Sequence, residues 1–211
     1  MVNIFVSDRD PLVSARALDS NRIGRMVYES FDLLSSTIKR TPKLNKKYGE
    51  LVYSPPQHHL MHPAATWVLQ DKRHFNWLLT HATELNQLCK HRYKHDIDHL
   101  SYFKHYEVME EILPKLKKTY SGKIVFEGFF NYNQFGYKKQ KHRKGDVVLK
   151  PSVDIFTRYK LSLVHKWLYL DVREPNWAQD NPPDWAFDIK YRKWLRKHFG
   201  KPVNRPKQLE M

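Results

Sequence analysis

Apolar residues recur every three or four positions over most of this chain, a helical period rather than the alternation of a half-buried strand. The longest stripe runs over Ala17 to Ile38, where Ile23, Met26, Val27, Phe31, Leu34 and Ile38 share one face of a predicted amphipathic helix. Before it, Val2 to Val6 reads as an extended lead-in. Asp8-Arg9-Asp10-Pro11 then supplies capping oxygens and a first-turn proline for a short helix over Leu12 to Leu18. Residues Arg40 to Met61, with three prolines, one glycine and few periodic apolars, predict a loop. Pro63 opens the next helix, Asp71 marks a cap or a kink, and Phe75, Leu78, Leu79, Ala82, Leu85, Leu88 and Cys89 carry a second long stripe to about Tyr93. A third helix is expected from Ile97 to Tyr120, with Leu100, Phe103, Val108, Ile112, Leu113 and Leu116 inward and a kink at Pro114.

The pattern then changes. Glycines at 122, 128, 136 and 145 punctuate two β-prone runs, KIVFEGFF and DVVLK, on either side of the basic stretch Lys138 to Lys144. Helical spacing returns after Pro151, with Val153, Phe156, Leu161, Val164, Trp167 and Leu168 available for packing. A loop rich in proline and tryptophan, Asp171 to Trp185, leads to a basic helix, Asp188 to Phe199. The expected fold is mainly α: a compact single-domain helical fold over residues 1–200, with a small inserted β-hairpin at about 121–150 and a flexible tail at 201–211.

Charge changes the picture more than composition does. The 211 residues carry 37 Lys+Arg against 22 Asp+Glu, a formal charge of +15, so a polyanion is the first partner to test. Hydrophobic content of 41% and aromatic content of 14% suffice for a packed core, which excludes a disordered basic tail. No apolar run reaches bilayer-spanning length and no leader pattern opens the chain, so the expectation is a cytoplasmic protein with no membrane partner. The single cysteine, Cys89, lies on an apolar stripe and reads as a buried structural thiol.

Four groups of residues are candidates for chemistry. On the long helix, Arg22 and Arg25 offer guanidinium forks suited to phosphate oxygens, with Asn21 or Glu29 facing a reacting sugar or base; the plainer alternative is an Arg25–Glu29 surface pair at i,i+4. The histidines His58, His59 and His62 lack a fourth ligand and any paired-cysteine or His-Glu-x-x-His pattern, so no metal is expected. His59 and His62 instead contact a phosphate or base, or satisfy a partner at the helix start. Arg158, Tyr159, Lys166 and Trp167, with Pro183, Asp184 and Trp185, interleave cations and rings as a stacking platform does, or else form an aromatic core with snorkelling cations. Lys138, Lys139, Lys141, Arg143 and Lys144 form either a nucleic-acid arm or a solvated loop.

The N-terminal NIF followed by DP, the block LDSNRIGRMVYES, the pair HPAATWVLQDKRHFNWLLTHATELNQLCKHRY and the YK, KW and PDW segments together resemble the phage-type pyrimidine-dimer DNA glycosylase family and its uncharacterised phage relatives. The likeness covers roughly residues 2 to 93 and 151 to 185. It implies an all-helical domain that binds duplex DNA, flips a damaged or modified base and cuts its N-glycosidic bond without a cofactor, in a phage-infected host cytoplasm. In that family the chain's own terminal amine attacks the sugar C1′ and forms an imine, helped by a glutamate beside two arginines. Carried over, the amine belongs to Val2 after loss of Met1 and the arginines to Arg22 and Arg25. Where the family has its carboxylate next to the first arginine this chain has Asn21 and Ile23, and Glu29 lies further along the helix. The resemblance thus implies a DNA glycosylase/AP-lyase-like or base-modification enzyme. The alternatives are a non-catalytic nucleic-acid or host-protein binding module on the same scaffold, and an RNA-binding protein.

Overall fold

The computed structural model describes residues 4–119, 121–126, 153–171, 173–199 and 201–202. The predicted hairpin at about 121–150 falls almost entirely outside them, as does most of the tail, and among the described residues there is no strand. The protein is mainly helical. Nine α-helices are described: α1 (Pro11–Arg16), α2 (Ser20–Arg40), α3 (Pro42–Tyr48), α4 (Gln57–Leu60), α5 (Pro63–Gln70), α6 (Lys72–Tyr93), α7 (Leu100–Ile112), α8 (Ile155–His165) and α9 (Ile189–Phe199). The chain divides into two compact units, one of 1–4 with Arg22–Phe129, the other of Phe5–Asn21 with Phe130–Met211.

The first unit is built on α2 and α6. The α2 stripe, Ile23, Met26, Val27, Phe31, Leu34 and Ile38, is buried as its spacing requires. From Glu29 to Ile38 every residue of α2 is buried, so the helix is covered on all sides there and its polar side chains must find partners inside. Ser35 and Ser36 do so by donating back to the carbonyls of Phe31 and Asp32 at 2.7 and 3.0 Å. Asp71 is the cap its position suggested. Its side chain accepts from the Arg73 amide at 2.8 Å and from the Arg73 guanidinium at 2.9 and 3.1 Å, and it also accepts from the Thr119 amide at 2.9 Å. One buried carboxylate therefore starts α6 and ties down the chain that follows α7. That return segment continues along α5 and α6, where the Trp67 indole donates to the Val125 carbonyl at 2.7 Å and Phe126 packs on Trp67 and Trp77. Cys89 is buried, and burial pushes its thiol up to about 12, which suits an unreactive packing role.

Three expectations are corrected. Residues 40–61 hold α3, a 3₁₀ turn at Gly49–Leu51 and α4, because Pro42 at a first turn starts a helix as readily as a proline ends one. In α7 the inward face is Ser101, His105, Met109 and Ile112; Leu100 and Phe103 are 60% and 74% exposed. The helix is turned so that a histidine and a serine face the core. Pro114 sits in a closing 3₁₀ turn, Leu113–Lys115, rather than at a kink.

In the second unit Asp19 is the pivot. It is wholly buried; one oxygen accepts from the Asn21 amide at 3.1 Å, capping α2, and the other accepts from the Trp167 indole at 2.8 Å. Trp177 lies edge-on to Trp167 and Trp185 stacks on it, with centroids 5.0 and 5.7 Å apart. Trp167 belongs to a π-helical stretch, Lys166–Leu170, that follows α8.

His81 on α6 has no such compensation. It is 1% exposed, stacks on Trp77, and neither ring nitrogen has a hydrogen-bond partner among the described residues. Burial drives its pKa down to about 3. A base depressed in the folded state leaves the unfolded chain binding more protons, so its share of stability is complete above about pH 6.5 and is lost as pH falls toward 3. His81→Leu is expected to raise the free energy of unfolding at pH 7 by about 1 kcal/mol. At pH 4.5 the gain should be on the order of 3 kcal/mol. Denaturant melts at the two pH values check this, and a variant less stable than wild type at both would show that the imidazole has a partner.

Candidate active site on the second helix

Successive turns of α2 bring Arg22, Arg25, Glu29 and Asp32 along one side of the helix. The Arg25 Nε donates to Glu29 Oε1 at 2.6 Å. The Arg25 side chain is 70% exposed, whereas that of Glu29 is 4% exposed. This is the i,i+4 pair foreseen from the sequence, but it is not a surface pair, since the carboxylate is buried and only the guanidinium reaches water.

One turn on, Asp32 is 1% exposed and its Oδ2 lies 2.8 Å from His59 Nδ1. Burial raises the Asp32 pKa, and His59 pulls it back down. His59 is placed by α4, which follows the extended Pro56. The Arg40 guanidinium holds the end of α4 by donating to the Leu60 carbonyl and the Thr66 hydroxyl at 3.1 and 3.0 Å. His58 lies beside His59, with ring centroids 4.3 Å apart. His62 caps α5, its Nδ1 accepting from the Ala64 amide at 3.2 Å; burial first, and His59 second, lower its pKa to about 4, so the ring is neutral at pH 7.

An aromatic wall flanks the carboxylates. Tyr28 is 41% exposed and lies edge-on to Tyr53 at 5.3 Å, and Tyr53 meets His105 at 4.1 Å. Tyr53 donates to Ser101 at 2.8 Å and His105 Nδ1 lies 3.2 Å from the Leu51 carbonyl, which explains why α7 turns Ser101 and His105 inward. Burial first, then Asp32, raises the Tyr28 pKa, keeping its phenol protonated beside the carboxylates.

No protein-family model, curated protein or solved structure matches this chain. The site is therefore read from its own geometry. Arg25 pairs with Glu29, and His59 meets Asp32 one turn further on, with His62 on the adjoining helix start and Arg22 half-buried at the head of the row. Asn21 belongs to the other unit, where its amide donates to the Glu174 carbonyl at 2.7 Å. Arg158 and Tyr159 are 3% and 0% exposed; Arg158 donates to the Val153 carbonyl at 2.8 Å and Tyr159 packs against Phe5. They are core residues, as helical periodicity through Leu161 and Val164 required, and a buried ring offers no face to an exposed base. Trp167 likewise takes its core role, while Lys166 is half-buried in the π-helical stretch. Val2, Lys138, Lys139, Lys141, Arg143 and Lys144 lie outside the described residues. Among the described residues no group of three His, Cys, Asp or Glu side chains is arranged to hold a metal ion.

Asp32, Tyr28, Tyr53 and His105 were missed. Asp32 had a signal, a lone charge in the FDLLSS run, one turn beyond Glu29. The other three converge only through tertiary packing. Asp32 and His59 are expected to be strongly coupled: His59→Ala, which strips the partner from a buried carboxylate, should cost about 3 kcal/mol, and adding Asp32→Asn should restore part of it. A double mutant whose loss is the simple sum of the two singles would show that the contact carries no energy.

Proposed function

We propose that this protein acts on DNA and cleaves the N-glycosidic bond of an extruded, damaged or modified pyrimidine, in the manner of the phage-type pyrimidine-dimer glycosylases its sequence resembles. The observation that carries the reading is the Arg25–Glu29 pair, a buried carboxylate held at 2.6 Å under a guanidinium that is 70% exposed. Glu29 is thereby shielded from bulk water while its partner faces it, which suits a group that transfers protons to a bound substrate. The exposed cation suits a phosphate oxygen. In this reading Arg22 and Arg25 hold the backbone and Glu29 moves protons at the sugar. An amine of the protein, expected to be that of Val2 after removal of Met1, attacks C1′; the glycosidic electron pair leaves with the base, which takes up a proton, and the nitrogen loses one. The C1′–O4′ bond then breaks as the nitrogen lone pair forms C=N, O4′ takes the bond's electron pair and a proton, and loss of the remaining proton from the nitrogen leaves an imine to the opened sugar. His59, oriented by Asp32, supplies a second proton-transfer group. Support from the whole chain is the formal charge of +15.

Borohydride reduction of the imine should trap the protein covalently on duplex DNA carrying a damaged pyrimidine, with the DNA on a peptide containing Val2. Glu29→Gln should slow trapping by roughly 10²- to 10⁴-fold while leaving DNA affinity within a factor of a few. No trap with any pyrimidine lesion, together with a silent Glu29→Gln, would leave a nucleic-acid binding module with no chemistry.

A further inference from the structure

Helix α9 lies in the second unit, whereas Arg25, Glu29 and His59 lie in the first, and its sides differ sharply. Leu195 is fully buried, Phe199 packs on His165 and Tyr169 with centroids 4.1 and 5.7 Å away, and Trp194 stacks on His198 at 4.1 Å. The opposite side carries Lys190, Lys193, Arg196 and Lys197, all exposed. None of the four has a carboxylate partner among the described residues, and the helix itself contains no acidic residue. Lys190, Lys193 and Lys197 follow i, i+3, i+7 spacing, a straight row of roughly 10 Å at the α-helical rise. Like charges packed this closely repel one another, and the repulsion is relieved when a polyanion lies along them.

We infer that this face of α9 is a second DNA-contacting surface, which binds the phosphate backbone without reading sequence. The inference rests on the reading of DNA as the partner. Duplex DNA presents a charge about every 1.7 Å of its axis, so a straight row of cations faces several phosphates at once. A membrane surface fits less well. An interfacial helix needs a free apolar face to insert, and here that face is packed within the unit, leaving Ile189, 64% exposed, as the exposed large apolar residue of the helix.

The test uses the full chain and a fluorescent duplex, with affinity measured from about 50 to 200 mM salt. The quadruple variant Lys190→Gln, Lys193→Gln, Arg196→Gln, Lys197→Gln keeps good helix formers throughout. A control variant with the same charge loss elsewhere is Lys43→Gln, Lys46→Gln, Lys104→Gln, Lys118→Gln, whose lysines are also exposed. The expected result is that the α9 variant lowers the slope of log K against log salt by about 0.9 for each phosphate contact removed, two or more in all, while the control changes it by less than one. Its affinity at the middle of the salt range should fall at least tenfold with an unchanged circular dichroism spectrum. A wild-type slope in the α9 variant, or an equal loss in the control, overturns the inference while the DNA reading stands. Displacement of the duplex by poly-glutamate at equal charge concentration assigns the face to acidic proteins and overturns it too. If the wild-type chain does not bind the duplex at all, the DNA reading itself falls.

Discussion

Burial of the second half of α2 is the constraint from which the first unit follows. A helix covered on all sides from Glu29 to Ile38 has no solvent edge for its polar residues, yet this one carries Glu29 and Asp32 a turn apart. Water cannot solvate them, so partners must be brought in. Arg25 comes from the turn before, and His59 comes from α4, which Arg40 at the far end of α2 holds in place. The helix thus supplies the carboxylates, one of their partners and the clamp for the other. Two buried acids one turn apart also oppose each other, since Glu29 raises the Asp32 pKa. A chain selected for stability alone would replace such a pair with apolar residues.

The other buried carboxylates contrast with this pair. Asp71 and Asp19 accept hydrogen bonds from backbone amides at helix starts and from an arginine or an indole, so each buried oxygen is satisfied and joins distant segments of its own unit. Asp32 instead faces the His59 ring at 2.8 Å, from the middle of a helix. The structural acids sit at helix starts, where amides need capping, whereas Glu29 and Asp32 lie within α2.

What was legible in the sequence follows the same division. The stripes of α2 and α6, the Asp71 cap, the Pro63 helix start and the buried Cys89 could be read because each depends on residues within a few positions of one another. The face of α7 was misread because Leu100 and Phe103 have the right spacing, while Ser101 and His105 are drawn inward by Tyr53 and the Leu51 carbonyl, half a unit away in sequence. Arg158 and Tyr159 show the converse, with surface chemistry in their composition but core positions in their period. At the candidate site Arg25, Glu29 and His59 were named from sequence, but the burial that distinguishes Glu29 from an ordinary helix-surface acid is a tertiary fact, as is the approach of His59 to Asp32.

The claim that Glu29 is held at a cost for chemistry, rather than for the fold, is tested most directly by the unfolding free energy of Glu29→Gln against wild type at neutral pH. An amide of the same shape removes a buried charge and gives up a pair whose other member is mostly in water, so the variant is expected to match wild type or exceed it by up to about 1 kcal/mol. A loss of about 3 kcal/mol or more would contradict the account, because it would make the carboxylate a structural support of α2.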